Sequence, residues 1–325
     1  MSAEWQDALR SAWTELSRHP ALTRQFRTTR LSPSLALDAY AAIRAADDAP
    51  CLLLEAQVPP TSLFEVGGMR LNNYPGENGV LAALTLEDPS QSDLFAMVCG
   101  DAIASAAGAT ADESLSQFLT RLDAWRRFLR ERRAGLTRNE TVGLFGELLL
   151  FERLLRDTIP ELTCWVAPDD GLHDFLLHGH ALEVKTAHGS ANSVRISTLD
   201  QLDATGLRRL DLIHVRLVEA PDGRNLSEVI ADLERMLPDD RSRREFANAL
   251  LRRGLMPDDL QARSEPRLSD PRFSAFAVTT GFPRLTRTTV PGAVQAAEYS
   301  LEIRAIGTHA VDFDDVVSRF IRGTP

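Results

Sequence analysis

Between residues 137 and 237 the sequence changes from helical to strand periodicity and back, and this order limits the folds open to the chain. Thr137 and Glu140 form a capping-box pattern before the helical run ETVGLFGELLLFERLLRD. Short β-type runs follow in TCWVA, HDFLL, ALEVKTA and SVRIS. A capped helix is then expected in STLDQLDATG, a buried strand in LDLIHVRLVEA and a helix in LSEVIADLERML. Antiparallel strands enclosed by helices predict a mixed α/β domain of the α+β kind.

The flanking sequence predicts further structure on both sides of this core. A chain of 325 residues can hold two domains. Residues 1–30 read as a helical entry to an α+β domain of unknown role over 1–108, and the small-residue stretch 105–114 is the expected boundary. An Arg-rich connecting helix is expected over 109–136, the core over 137–240, and helices and strands that pack on the core over 241–325.

Composition narrows the classes of partner and compartment. A net charge of −10 argues against indiscriminate coating of nucleic acid, although a local basic groove remains possible. No apolar run is long enough to span a bilayer, and the N-terminus lacks a signal-peptide pattern. The three cysteines are widely spaced, which favours neither a disulfide framework nor a zinc knuckle. The expected location is the cytoplasm.

Lys185 is the single lysine of the chain. The sequence holds 36 basic residues, of which the other 35 are arginine. Arg is planar, bulky and always charged, whereas Lys presents a compact ammonium whose pKa can move on burial. A position that keeps Lys where Arg stands everywhere else is therefore a candidate functional site. The alternative is that one lysine falls there by chance.

Two carboxylates are expected close to this lysine. Alternation along a strand places Glu183 and Lys185 on one face and Leu182 and Val184 on the other. A tight HGH turn would bring Asp174 of the preceding strand to Glu183. Hard oxygen ligands of this kind suit Mg²⁺, with Mn²⁺ able to substitute. Lys185 would then orient an attacking water or stabilise the developing oxyanion.

Glu147 is a candidate third carboxylate. Its neighbours on one helical face are apolar or small, so an ionised side chain turned inward needs a partner such as a metal or an arginine. Gly143 and Gly146 would let this helix lie close to a sheet, and their cost of about 1 kcal/mol each in a helix interior implies a packing reason.

These segments together resemble the PD-(D/E)xK phosphodiesterase superfamily, which has the restriction-endonuclease-like fold, and more narrowly the bacterial family DUF4420. The likeness is carried by GLFGELLLFERLL, HDFLLHGHALEVKTA and VRISTLDQL. It implies an αβββαβ core, Mg²⁺-dependent DNA cleavage and the catalytic and metal-binding residues Asp174, Glu183 and Glu147, with Lys185 catalytic. Gln201 would lie near the site. His173 stands where the motif name has Pro. The resemblance also implies a phage-defence or restriction complex with an ATPase or helicase as partner.

The DNA-contacting surface and the chemistry each have an alternative. Arg126, Arg130 and Arg133 lie at helical spacing and could face phosphates, or they could form a solvated, ion-paired surface. Four histidines around Asp174 could instead suggest a transition-metal site; they are His173, His178, His180 and His188. A rival from another class is a non-catalytic module that keeps the nuclease fold to bind DNA or partner proteins.

Overall fold

The chain forms two compact units, Met1–Arg133 and Ala134–Pro325. The structure is a computed structural model that describes residues 2–18, 25–76, 79–130, 136–157, 162–189, 191–256 and 266–323. Over these ranges it contains helices and several β-sheets, so the predicted mixed α/β class is confirmed. No helix in the described ranges is both long enough and apolar enough to cross a membrane.

In its described residues the first unit is a six-stranded antiparallel sheet with three α-helices. Its sheet order is β1-β2-β3-β6-β5-β4. The elements are α1 Ser2–Ser17, β1 Phe26–Arg30, β2 Ala39–Arg44, β3 Pro50–Ala56, β4 Phe64–Val66, β5 Met69–Pro75, β6 Val80–Leu86, α2 Ser92–Ala106 and α3 Ala111–Arg130. The expectation of helix throughout 1–30 was wrong at its end, because β1 pairs with β2 there.

Helix α3, the predicted Arg-rich helix, packs inside the first unit. The buried carboxylate of Asp101 on α2 accepts hydrogen bonds from Arg121 Nε at 2.6 Å and from Trp125 Nε1 at 2.7 Å. Arg126 is held by Asp123 one turn earlier, with Nε 2.9 Å from Oδ1. Arg130 is exposed, and Arg133 lies outside the described residues.

The second unit is built on a five-stranded sheet of order β13-β11-β10-β8-β7. Strands β8 and β10 are parallel, and the other pairs are antiparallel. The elements are α4 Arg138–Asp157, β7 Phe175–Leu177, β8 His180–His188, β9 Ser193–Ile196, β10 Arg209–Arg224, α5 Leu226–Met236, α6 Asp240–Arg252, β11 Leu268–Ala277, β12 Tyr299–Glu302, β13 Ala310–Val311 and α7 Phe313–Arg322.

Each face of this sheet carries its own apolar cluster. Leu182 and Val184 of β8 face the helices and pack with residues of α4, α5 and α7 in the larger core. Ala181, on the other face, packs with Leu210 and Leu212 beneath the small β9–β12 sheet. That second cluster covers only one end of its face. Glu183 and Lys185 lie on the same face beyond it.

Two local expectations had different outcomes. The capping box is confirmed, since the Thr137 N–H donates to Glu140 Oε2 at 2.8 Å and the Glu140 N–H donates to Thr137 Oγ1 at 3.3 Å. The helix expected over 197–206 was wrong, because that stretch consists of bends and turns. There Asp203 Oδ1 accepts the Thr205 N–H at 3.0 Å, a local bond that competes with helix formation.

Candidate active site at the β7–β8 hairpin

A two-residue turn sets the register of the hairpin that carries the site. Leu177 pairs with His180, and the intervening His178 and Gly179 have φ values of 51° and 79°. Positive φ at both central positions is the type I′ geometry, whose twist matches that of the flanking strands. The ladder ends at Phe175↔Leu182. The next residue outward on the first strand is Asp174, which brings its side chain to β8 as the sequence predicted.

Asp174 and Lys185 are tied to β8 by short hydrogen bonds. The Val184 N–H donates to Asp174 Oδ2 at 2.7 Å, and Lys185 Nζ donates to Glu183 Oε1 at 2.7 Å. The Glu183 side chain is buried and that of Lys185 is 16% exposed. The two carboxylates and the ammonium therefore form one group on the sheet face, in which the Lys185 side chain is more exposed than that of Glu183.

The charges of this group perturb one another. Burial and, after it, the negative charges of Glu183 and Glu147 raise the pKa of the Asp174 carboxyl well above its usual value, and Lys185 opposes that rise. Desolvation lowers the pKa of Lys185, but the nearby carboxylates outweigh it and the pKa lies above its ordinary value. Lys185 is thus a stable ammonium at neutral pH. It can donate hydrogen bonds and stabilise negative charge.

Glu147 reaches the site from α4, which lies very close to β8. A Cβ added at Gly146 would be 1.9 Å from Oγ1 of Thr186, whereas one added at Gly143 would meet nothing within 4 Å. The predicted close approach therefore holds for Gly146 alone. Glu147 is buried with a partner on each oxygen, because Trp165 Nε1 donates to Oε2 at 3.0 Å and Arg253 Nη2 donates to Oε1.

Arg253 is the cationic partner of the buried Glu147 carboxylate. It follows α6 and stands 106 positions along the chain from its partner, so the helical pattern around Glu147 gave no sign of it. Within the described residues, no group of three or more His, Cys, Asp or Glu side chains is arranged to hold a metal ion. Asp174 Oδ1 accepts no hydrogen bond from any described residue.

The histidines of this region do not converge on one centre. His178 and His188 are exposed. Alternation along β8 turns His180 to the helical face, where Nε2 lies 2.7 Å from Asp211 Oδ2. His173 precedes the strand, and its Nδ1 lies 3.6 Å from Glu183 Oε2.

Gln201 and His214 are two further polar residues of this unit, and only His214 is shown beside the lysine strand. Gln201 lies in the turn segment, where its Oε1 accepts the Ser197 N–H at 2.8 Å. His214 on β10 is the register partner of Lys185 and is buried, and its Nε2 has no hydrogen-bond partner among the described residues. Burial lowers the pKa of His214, so a neutral ring faces the lysine strand. The sequence analysis did not single out His214, although a histidine inside the apolar run LDLIHVRLV marks a buried polar side chain.

Comparison with known proteins assigns the chain to a family. A family model described as "Putative PD-(D/E)XK family member, (DUF4420)" matches residues 9–304. No curated protein and no solved structure matches the chain significantly. The match covers both units and includes the strand pair that carries the acidic residues and the lysine. The chain therefore belongs to the DUF4420 family of PD-(D/E)XK proteins, whose superfamily indicates nuclease-like activity.

Proposed function

We propose that this protein is a Mg²⁺-dependent endonuclease that hydrolyses DNA phosphodiester bonds. The observation that carries the proposal is the meeting of Asp174, Glu183 and Lys185 on one sheet face, where Asp174 Oδ1 accepts no hydrogen bond from any residue that the structure describes. Carboxylate oxygens are the ligands that Mg²⁺ prefers. A bound Mg²⁺ would supply Lewis-acid stabilisation of phosphoryl charge and lower the pKa of a water ligand.

Each residue of the chain has a distinct part in this proposal. Asp174 and Glu183 would hold the metal, and the hydrogen bond from the Val184 N–H keeps the Asp174 carboxylate beside the strand that carries Glu183. Lys185 donates a hydrogen bond to Glu183 and orients the attacking water or stabilises the developing oxyanion. Glu147 is the third carboxylate, provided that Arg253 releases it. Gln201 and the Arg126/Arg130/Arg133 stripe are proposed as DNA contacts.

The first test is cleavage of supercoiled plasmid by the purified protein with Mg²⁺, with Mn²⁺ and with EDTA. We expect metal-dependent nicking that falls by about 100- to 1,000-fold in Lys185→Ala, the size typical of losing one group that stabilises transition-state charge. Lys185→Arg should lose nearly as much. The matched control is Arg209→Lys, a basic exchange on the opposite sheet face.

The control and the two lysine variants separate the outcomes. Normal cleavage by Lys185→Arg would remove the lysine from the chemistry. Activity that is equal in wild type and Lys185→Ala would come from another site or a contaminant. Retention of activity in Arg209→Lys shows that a basic exchange on this sheet does not by itself disrupt the enzyme.

One observation favours a second candidate, a nuclease-fold module that binds DNA or partner proteins without cutting. Both oxygens of Glu147 already have partners, and the described residues contain no arrangement of three metal-binding side chains. DNA binding with no metal-dependent cleavage in any variant would select this candidate. A phage-defence or restriction complex, with an ATPase or helicase as partner, is proposed on the family likeness alone. A cytoplasmic location is proposed from the composition of the sequence. Co-purification of the tagged protein with its genomic neighbours tests that association.

A further inference from the structure

Arg216 on β10 and Arg272 on β11 stand directly opposite each other as register partners. Both side chains are exposed. Most arginines in the described ranges pair with a carboxylate, but neither of these two does; Arg216 Nη2 instead donates to the Gly189 carbonyl at 3.1 Å. Two arginines on neighbouring strands are therefore exposed side by side, and no carboxylate of the described residues pairs with either.

Like charges directly opposite each other on neighbouring strands destabilise a sheet, by an amount on the order of a few tenths to 1 kcal/mol. Another arginine of the same strand is neutralised within the protein. Arg209 Nη2 donates a hydrogen bond to Asp211 Oδ1 at 2.8 Å. An unneutralised cross-strand pair is the pattern expected where an external anion supplies the missing charge.

The pair lies on the face that carries the candidate active site. Along β10 the residues Leu212, His214 and Arg216 alternate onto one face, and the register places His214 beside Lys185 and Arg216 beside Ala187. With a rise of about 3.3 Å per residue and strands about 4.8 Å apart, the backbone of Arg216 is about 8 Å from that of Lys185. Arg272 is one strand further, and the exposed Ser274 stands opposite His214.

We propose that Arg216 and Arg272 bind the phosphodiester backbone of DNA next to the phosphate that is presented to Lys185. This inference rests on the proposed function and names where its substrate lies. A strand of DNA that follows the sheet face from Glu183 outward meets Lys185, then Arg216, then Arg272. An arginine fork binds phosphate oxygens bidentately, which fits two exposed guanidinium groups that pair with no carboxylate among the described residues.

The Arg126 surface of the first unit is less suited to this role. Arg126 and Arg127 both donate to the same carboxylate, that of Asp123. A phosphate there would have to compete with an ion pair that is already formed. At Arg216 and Arg272 it would relieve a repulsion instead.

The test is binding of a fluorescein-labelled duplex to the full-length protein in EDTA, followed by anisotropy over a series of salt concentrations. Each phosphate contact contributes about 0.9 to the slope of log K against log salt for duplex DNA and about 0.7 for single strands. Arg216→Gln and Arg272→Gln should each reduce the slope by that amount, and the double variant by about twice as much. Arg322→Gln is the matched control, since this exposed arginine lies on α7, which packs on the opposite sheet face.

The outcomes keep this inference apart from the nuclease proposal. Loss of slope in the double variant, together with no cleavage by wild type, would uphold the DNA surface and reject the endonuclease. A double variant that binds with the affinity and slope of Arg322→Gln would overturn the inference, even if cleavage is observed. Wild-type protein that binds neither duplex nor single-stranded DNA would overturn it as well.

Discussion

Gly146 and Gly143 offer a matched pair of substitutions that tests how α4 is seated on the catalytic strand. Both glycines lie inside the same helix, three residues apart. Replacing glycine by alanine in a helix interior stabilises the helix by about 0.8–1 kcal/mol when the new methyl group is free of contacts. Gly143→Ala meets that condition, because nothing lies within 4 Å of the added Cβ. We therefore expect it to raise the free energy of unfolding by about 1 kcal/mol.

Gly146→Ala gains the same helix propensity but must also move Thr186. The added Cβ would lie 1.9 Å from Oγ1 and about 3 Å from Cβ and Cγ2 of that threonine, so a rotation of the hydroxyl alone does not clear the contact. Overpacking of this kind costs about 1–3 kcal/mol, which leaves a net loss of up to about 2 kcal/mol. The free energies of unfolding of the two variants should thus differ from each other by about 1–3 kcal/mol, with Gly143→Ala the more stable.

Hydrogen exchange of peptides from 138–157 and 180–188, measured in increasing urea, reports the unfolding free energy of this unit. Thr186→Ala removes the Oγ1 contact, so the Gly146→Ala/Thr186→Ala double variant should recover part of the loss, with a coupling energy above about 0.5 kcal/mol. Equal changes in the unfolding free energy of Gly143→Ala and Gly146→Ala would show that Gly146 is not in close contact with Thr186.

Two further predictions concern the charges on the two sheet faces. Arg253→Gln should tighten Mn²⁺ binding, measured by calorimetry, about tenfold, because it frees Glu147 and removes a cation near the site. The control Arg252→Gln changes an arginine that pairs with Asp169 and should leave the affinity unchanged, whereas Asp174→Asn should abolish binding. Equal Mn²⁺ affinities in the Arg253 and Arg252 variants would contradict this prediction. Asp211→Asn should lower the free energy of unfolding at pH 7 by about 3 kcal/mol, since it breaks a buried pair. Burial alone would raise the pKa of Asp211, but hydrogen bonds from His180 and Arg209 hold it below its usual value. The stabilisation is then present above the unfolded-state pKa of about 3.9 and is lost as the pH falls through the lower folded-state pKa, so the difference between variant and wild type should vanish in strong acid.

Local sequence patterns predicted several elements of the second unit correctly. The capping box at Thr137, the alternation along β8 and the turn at His178 each depend on interactions within about ten residues, and each holds in the structure. Local patterns could not predict interactions between residues that are distant along the chain. The β9 run joins β12 rather than the main sheet, and periodicity cannot reveal that pairing. Arg253 likewise reaches Glu147 only through the tertiary fold.

The lone lysine can be weighed against an arginine that the structure itself provides. Arg209 and Asp211 form a pair two residues apart on β10, with Nη2 2.8 Å from Oδ1, on the helical face of the sheet. Glu183 and Lys185 form a pair at the same spacing on β8, on the other face. Arginine therefore suffices to neutralise a buried carboxylate at this spacing in this sheet. Neutralising Glu183 does not explain why position 185 is the one place where the chain keeps lysine. What Lys offers there is a small, rotatable ammonium that can hold Glu183 and still turn to a third group, such as a water or a phosphate oxygen.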